Sequence, residues 1–434
     1  MFAFIHETRD TYMHWRGEWG LLSFMIVCSM TVGASNTTGF ARFVSTVIGA
    51  SCSVVNWNVS GGTAVPLMFL GGIVAFWGFF VMIDRGKAPL GRTALLAYNV
   101  STLYAYSLSQ RVDNDDEDEG GTNPLILEIA KHRAIAVTAG ILWGLIVCRV
   151  VWPISARRKF KEGLSVLYLQ MGLIWKRGPL AILLRSDASR SYLKSGEQVA
   201  LRRYASRLQA LRASAGSEFE LRGPFPSDAW GRILASTNRV LDAFYAMSLV
   251  TQRRGRLSDG ERALLLVTAH ERALLCERIC HIFEFLASSV MLEYPLTDAV
   301  PNVAGVRDRL LGKIFQFRKD HAAAATTTAT SRGGTAEPAA DAAGGEASSA
   351  NGASGGGGGG GGAAAAKMQA FDRAHEGGGG HASLAGQVNV EERDYALLYA
   401  YALVTGQVAE ELKKVGKEIE SLFGVLDEEL LLLQ

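Results

Sequence analysis

The sequence is short of cysteine, with five in 434 residues. Cys28, Cys52 and Cys148 lie in apolar runs, and Cys276 and Cys280 lie in a segment that predicts a helix. An odd number of cysteines at such positions is not typical of a disulfide framework, so reduced thiols are expected. The N-terminus, MFAFIHETRD, also lacks the apolar run of a secretory signal peptide.

The sequence lacks the residue arrangements of common catalytic and metal sites. The segment HERAL, which begins at His270, has no second histidine of the zinc-protease motif. The acidic stretch DNDDEDEGG has Asp118 where a calcium loop requires glycine. Cys276 and Cys280 share a predicted helical face, but structural zinc usually needs four ligands, so buried thiols are favoured there. We therefore expect no enzyme activity, no cofactor and no metal.

What the sequence has instead is a concentration of apolar residues in its first third. A helix that crosses the membrane needs roughly 20 mostly apolar residues. Five stretches approach this length, at residues 19–36, 42–58, 65–83, 93–109 and 134–152. Their pattern predicts an all-α fold, in which residues 1–154 form a polytopic membrane bundle and a cytosolic helical domain follows.

These predicted spans contain no carboxylate or lysine near their centres, which argues against a proton relay or a tight ion site. Uncharged polar residues remain, and some recur at helical spacing. The candidates for a solute path are Asn99, Thr102, Tyr106, Thr31 and Ser35. The alternative, which these residue types favour, is hydrogen bonding between neighbouring helices.

Basic residues set the predicted orientation. The cluster Arg157, Arg158, Lys159 and Lys161 follows the last apolar run, and residues 155–213 are strongly basic. Positive residues favour the cytosolic side, so the C-terminal part is predicted to be cytosolic and the N-terminus to lie on the other side. The acidic loop at 112–124 then lies outside. Beside a membrane, such a cluster favours contact with anionic lipid over nucleic acid, which is not an expected partner.

The remaining residues predict a helical domain interrupted by a linker. Residues 155–321 have amphipathic periodicity, and Ser258 with Glu261 three positions later predicts a capping box at a helix that continues to about 292. Residues 322–389 are mostly Ala, Gly, Thr and Ser, which indicates a disordered linker. Residues 390–434 predict a last amphipathic helix that completes the domain, and a coiled-coil partner helix is the alternative.

Several long blocks resemble a known family. They are HWRGEWGLLSFMIVCSMTVGASNTTGF, GRTALLAYNVSTLYAYSLS, RVVWPISARRKFKEGLSVLYLQMGLIWKR and, nearer the C-terminus, DYALLYAYALVTGQVAEELKKVGKEIESLFGVLDEELLLLQ. These blocks are similar to fungal membrane proteins related to brefeldin A sensitivity, within the fusaric acid resistance and aromatic acid exporter superfamily. The resemblance implies a multi-pass transporter-like protein in the endoplasmic reticulum or another endomembrane, with the plasma membrane as an alternative.

The resemblance also implies something about completeness. Members of that family have two membrane halves of six spans, and this chain resembles the second half and the domain after it. An N-terminally truncated form is therefore expected, which transports with a missing half or as a homo-oligomer. The leading hypothesis is an exporter of organic anions or amphiphilic compounds. The alternative is a membrane-anchored interaction or scaffold protein that acts through its cytosolic helical domain.

Overall fold

The computed structural model describes residues 12–110, 125–151, 153–184, 192–194, 196–218, 223–252, 257–297, 301–332 and 390–426. The chain divides into two compact units, and each is described by itself. The first unit combines Met1–Leu164 with Tyr204–Leu234, and the second combines Ser165–Arg203 with Ala235–Gln434. The predicted acidic loop at 112–124 lies outside the described residues, as does the part of the predicted linker at 333–389.

Five helices of the first unit cover the five predicted spans, and three of them meet the length and hydropathy of a membrane span. The five are α1 Gly17–Val27, α2 Val32–Ser60, α3 Ala64–Ile83, α4 Ala88–Ser109 and α5 Ile126–Val150. Helices α2, α3 and α5 are long and apolar enough to cross a membrane, and α1 is a shorter apolar helix. Helix α2 packs on both α4 and α5, α1 packs on α5, and α3 packs on α4. The predicted all-α fold with membrane-spanning helices is confirmed.

The boundary between the first two predicted spans was wrong. The chain leaves helical geometry at Cys28 and re-enters it at Val32, and α2 then continues to Ser60 without the predicted break near residue 40. Thr31 causes this start, because its extended backbone and side-chain oxygen cap the new helix by accepting from the Ala34 amide at 3.3 Å. Thr31 and Ser35 therefore belong to the beginning of α2 and not to a face of α1.

The last membrane helix begins earlier than predicted, at Ile126 rather than residue 134. Its first turns bury Ile126 and Ile129 against Ala105 and Leu108 of α4. The polar run Lys131–Arg133 lowers the local hydropathy of the sequence and so hides these turns from a composition-based prediction.

Small residues allow the membrane helices to approach closely. Ser45, Gly49 and Ser53 lie on the buried face of α2, and a Cβ on Gly49 would collide with the Ala94 carbonyl of α4. On the other side of the bundle, a Cβ on Gly140 of α5 would collide with the backbone of α1. Close packing of small residues is the usual way in which helices associate within a bilayer.

Three further helices each have residues in both units. They are α6 Ala156–Lys176, α8 Glu197–Ala215 and α9 Ser227–Thr251, and the short α7 Ala181–Leu184 lies between α6 and α8 in the sequence. In the first unit, Phe160 of α6 packs edge-on against Phe225 and Trp230, with ring centroids 6.1 and 5.4 Å apart. These rings form the apolar core beneath the start of α6.

The second unit contains α10 Asp259–Val267, α11 Ala269–Leu292, α12 Val303–Arg332, a 3₁₀ turn Glu392–Tyr395 and α13 Ala396–Phe423. Two short strands, β1 Leu296–Thr297 and β2 Val425–Leu426, pair in parallel. The predicted capping box is present, since Ser258 Oγ accepts from the Glu261 amide at 2.9 Å. The predicted single helix after it is interrupted at Thr268, where α10 ends and α11 begins.

Aromatic side chains form the centre of the second unit. Trp175 of α6 and Phe283 of α11 both contact Phe244 of α9, at centroid distances of 5.2 and 6.0 Å. Helix α13 packs on α11 and α12 with a buried apolar face. Helix α12 continues to Arg332, so this part of the predicted linker is helical.

Candidate functional site

The structure separates the residues predicted to line a solute path into two groups. Thr31 and Ser35 are buried at the first turn of α2, where Ser35 Oγ accepts from the Ser29 amide at 3.2 Å. The other group lies on α4, beside the far half of α2. These five residues therefore do not form one continuous wall.

On α4 the three predicted residues differ in burial. Asn99 is exposed, Tyr106 is half-buried, and Thr102 is buried. The Thr102 hydroxyl and that of its neighbour Ser101 have no hydrogen-bond partner among the described residues. Tyr98, on the same helix, accepts instead from Asn56 Nδ2 of α2 at 3.2 Å. Asn56 and Tyr98 thus form an interhelical hydrogen bond of the kind that the alternative interpretation describes.

The most distinctive feature of the membrane helices is a pair of buried arginines. Arg42 of α2 is 5% exposed and Arg133 of α5 is 6% exposed. Within the described residues, neither guanidinium has a carboxylate within ion-pairing distance. Charged side chains in membrane helices are costly, and they usually mark functional positions.

Helix α1 supplies the groups that hold both arginines. Ser23 Oγ donates to the Trp19 carbonyl at 2.6 Å and accepts from Arg42 Nε at 3.0 Å. The Trp19 ring lies beneath Arg133, with the guanidinium carbon 3.7 Å from the ring centroid. Trp19 and Ser23 are one helical turn apart on α1, so the two arginine side chains contact neighbouring positions on the same face of this helix.

Glycine packing brings these elements into register. Gly20, directly after Trp19, lies against the backbone of α5 at Ala136 and Gly140, so close that a Cβ on either glycine would collide. This close approach places the Trp19 ring within stacking distance of Arg133. A larger residue at Gly20 or Gly140 would separate α1 from α5 and open the arginine pair.

Further aromatic and cationic groups lie nearby. The His132 ring lies 5.2 Å from that of His14 and 5.1 Å from that of Trp15. The Arg16 guanidinium lies 5.0 Å from the centre of the Tyr104 ring. The residues just before α1 and the first third of α5 are therefore rich in positive charge and in flat aromatic surfaces, which together suit a planar anion.

Sequence reasoning missed the arginine pair because it placed both residues at the edges of spans. Arg42 began the predicted second span, and Arg133 preceded the predicted fifth span. An arginine at a span end can extend to the lipid headgroups and carries no functional implication. The available signal was the apolar and small residues on both sides of each arginine, which allow the helix to continue through it.

The predicted basic cluster does not act as one surface. Arg158 and Lys159 are exposed, and Arg158 pairs with Glu162 at 2.7 Å. Arg157 is 9% exposed and donates to the carbonyls of Ala215, Glu218 and Gly223. The guanidinium of Arg157 is thus occupied within the protein, so the assignment of Arg157 to a lipid-facing cluster was wrong. Lys161 is half-buried.

The backbone amides near Arg157 are held by a buried carboxylate. Glu218, 6% exposed, accepts from the amides of Gly33 at 3.1 Å and Ala156 at 2.6 Å. It also accepts from the Arg157 amide at 3.2 Å and from Ser155 Oγ at 2.7 Å. One carboxylate therefore caps the N-termini of α2 and α6, where unpaired amides and the helix dipole favour negative charge.

No group of histidine, cysteine and carboxylate side chains that could hold a metal ion is present in the described part of the chain. The arginine pair, by contrast, places two buried positive charges in the membrane helices, with no carboxylate partner among the described residues.

Comparison with known proteins agrees with this assignment of the membrane part. No curated protein matches the chain. Residues 2–147 match the family model of fusaric acid resistance protein-like proteins, and this segment contains α1 to α4 and nearly all of α5. The chain is an integral membrane protein whose membrane helices are similar to those of the fusaric acid resistance superfamily.

Proposed function

We propose that the membrane helices transport organic anions, and export aromatic carboxylates in particular. The observation that carries this proposal is the buried pair of Arg42 and Arg133, which has no carboxylate partner in the part of the chain that the structure describes. The match to fusaric acid resistance-like proteins supports it, because fusaric acid is itself an aromatic carboxylic acid.

The chemistry of the pair supports an anionic substrate. A guanidinium stays protonated at any physiological pH, so burial cannot be relieved by loss of the proton. Two such charges in a membrane bundle repel each other, and an anion between them would remove the repulsion and supply acceptors. Trp19 provides a flat surface beside Arg133, against which an aromatic ring can stack.

The proposal includes a membrane location and an orientation. We place the protein in the endoplasmic reticulum or another endomembrane, with residues 155–434 in the cytosol. The exposed Arg158 and Lys159, just after the last membrane helix, support this orientation. Lys159 is available for anionic headgroups of the cytosolic leaflet, and Arg158 shares its charge with Glu162.

We further propose that the transporting unit contains more helices than α1 to α5, supplied by a second copy or by another membrane half. The support comes from α3, because only 11% of its apolar 18-residue stretch is buried. Its outward surface is long, continuous and apolar, and it suits either lipid or further helices. Cross-linking through a cysteine introduced at Phe76, an exposed position of α3, distinguishes these two environments.

The experiment that tests transport uses the whole chain in proteoliposomes loaded with fusaric acid. We expect efflux from liposomes with the wild-type protein, and a loss of about tenfold or more in Arg42→Gln and Arg133→Gln, since each removes a charged contact to the anion. Arg149→Gln is the matched control, because Arg149 is an exposed arginine near the end of the same helix as Arg133. Trp19→Leu should weaken substrate affinity more than the maximal rate.

Efflux that is unchanged in both buried-arginine variants, in protein that remains folded by circular dichroism, would contradict the proposal. Absence of any flux from the wild-type protein would favour the scaffold function instead, and capture of defined partners by the full-length protein in detergent would then support it.

A further inference from the structure

The second unit contains a cavity of about 450 Å³ between α11, β1, α12 and α13. This volume falls within the range of small-molecule sites in proteins. Its apolar side is formed by Ile282, Leu286, Leu296 and Leu412. The cavity is open in part because α13 has Gly416 there, where a Cβ would meet no atom within 4 Å.

One polar group in the cavity wall is unsatisfied. Arg307 Nε is buried and has no hydrogen-bond partner among the described residues. The guanidinium lies along α13 at Gly406, where a Cβ would be 3.0 Å from Nη1, and its Nη2 donates to Asp308 at 3.3 Å. Buried donors in native proteins are almost always satisfied. An acceptor from outside the chain would supply the missing hydrogen-bond partner of Arg307 Nε.

The other charged groups of the cavity define the acceptor. Lys413 and Lys417 of α13 are exposed, lie one helical turn apart and line the same cavity as Arg307. Glu410 and Glu420 line it too. The lining has three cations and two carboxylates, and Asp308 beside Arg307 adds a third carboxylate, so the site suits a single negative charge at Arg307 but opposes the accumulation of several. A phosphate or another polyanion is therefore less suited to this site than a monoanion.

We propose that this cavity binds a small amphiphilic monocarboxylate, with the carboxylate on Arg307 and the lysines and the apolar body against Leu286 and Leu412. A guanidinium is the preferred partner of a carboxylate, because its planar donors match the two oxygens. This site lies in the second unit and does not depend on transport by the membrane helices, so it stands whether or not those helices move anions.

The test is isothermal titration calorimetry of the full-length protein in lipid nanodiscs, with phenylbutyrate as the probe. The neutral amide of the same shape, phenylbutyramide, separates charge recognition from partition into lipid. We expect saturable binding of the acid to the protein and binding of the amide that is weaker by about tenfold or more, since the charged hydrogen bonds are lost. Equal binding of acid and amide, or no binding of the acid, overturns the proposal.

Two pairs of variants locate the site. Arg307→Gln should weaken acid binding by about tenfold or more, and Arg309→Gln, which changes an exposed arginine on the same helix outside the cavity, should leave it unchanged. Gly416→Leu places a side chain in the empty space beside α13 and should abolish binding. Gly312→Leu is the matched control, because Gly312 also has open space around its Cβ but does not line the cavity. Wild-type affinity in folded Gly416→Leu protein would place the ligand elsewhere and refute the assignment.

Discussion

Among the described residues, the Arg42 guanidinium makes one hydrogen bond: its Nε donates to Ser23 Oγ at 3.0 Å, across the contact between α1 and α2. The serine is oriented for this role because its own proton is donated to Trp19. A single hydroxyl therefore connects the two arginines of the candidate site, one through a hydrogen bond and the other through the ring of Trp19.

Ser23→Ala should destabilise the protein by about 1–3 kcal/mol, because it leaves a buried charged donor without an acceptor. Thermal unfolding in detergent measures this change, and the same sample should lose anion transport. Ser107→Ala, at an exposed position of α4, is the control and should have little effect. If added fusaric acid stabilises Ser23→Ala no more than it stabilises the wild type, the anion does not compensate for the lost acceptor.

Thr102→Val should have the opposite effect on stability and stabilise the protein. The Thr102 hydroxyl is buried without a partner among the described residues, so its removal at nearly constant volume abolishes a desolvation cost. We expect a gain of about 1 kcal/mol in the free energy of unfolding, measured by thermal unfolding. If Thr102 lines the solute path, transport falls while stability rises, and unchanged transport leaves only the structural role.

Glu218→Gln should destabilise the start of α6 and of α2 together. The amide keeps the shape of the carboxylate but removes its charge and one pair of acceptor positions, while four donors still require acceptors. We expect a loss of about 2–3 kcal/mol. Glu162→Gln removes a partly exposed ion pair and should change stability by less than about 1 kcal/mol. Equal effects in these two variants would show that Glu218 contributes no more than a surface contact.

The ion pair of Arg177 and Glu197 predicts a pH dependence. Arg177 donates to both carboxylate oxygens, at 2.7 and 2.8 Å. These hydrogen bonds are the main cause that lowers the pKa of Glu197 below its ordinary value. A lowered pKa in the folded state contributes stability above the unfolded pKa of about 4.3, and this contribution is lost as the pH falls through the folded value.

We therefore expect Glu197→Gln to cost about 1 kcal/mol at neutral pH and to cost progressively less as the pH falls below about 4. Chemical unfolding of both proteins across this range measures the difference. A difference that stays constant with pH would mean that the pair is not the source of the stabilisation.

The sequence predicts the fold class and most of the membrane helices, because apolar runs of sufficient length have few other uses. Prediction fails where polar residues interrupt such a run but are satisfied in the fold. The start of α5 at Ile126 and the uninterrupted α2 through Arg42 are both of this kind. Periodicity within one segment contains no information on which neighbour supplies the missing partner.

The same reason explains why the candidate sites escaped prediction. The arginine pair depends on Ser23 and Trp19, which lie far from Arg133 in the sequence, and on a glycine contact that only the packed helices reveal. Arg157 looks like its basic neighbours in the sequence, and only the carbonyls around it show that its charge is used internally. Capping by Ser258, in contrast, depends on residues three positions apart and was predicted correctly.

The carboxylate of Glu218 has a mechanical consequence. It binds the first turn of a membrane helix and the first turn of α6 with the same few atoms. Helix α2, which carries Arg42, therefore cannot slide along its axis or tilt at this end without either breaking hydrogen bonds or carrying α6 with it. If an anion at Arg42 displaced α2 as a unit, the Glu218 carboxylate would transmit this movement to the beginning of α6.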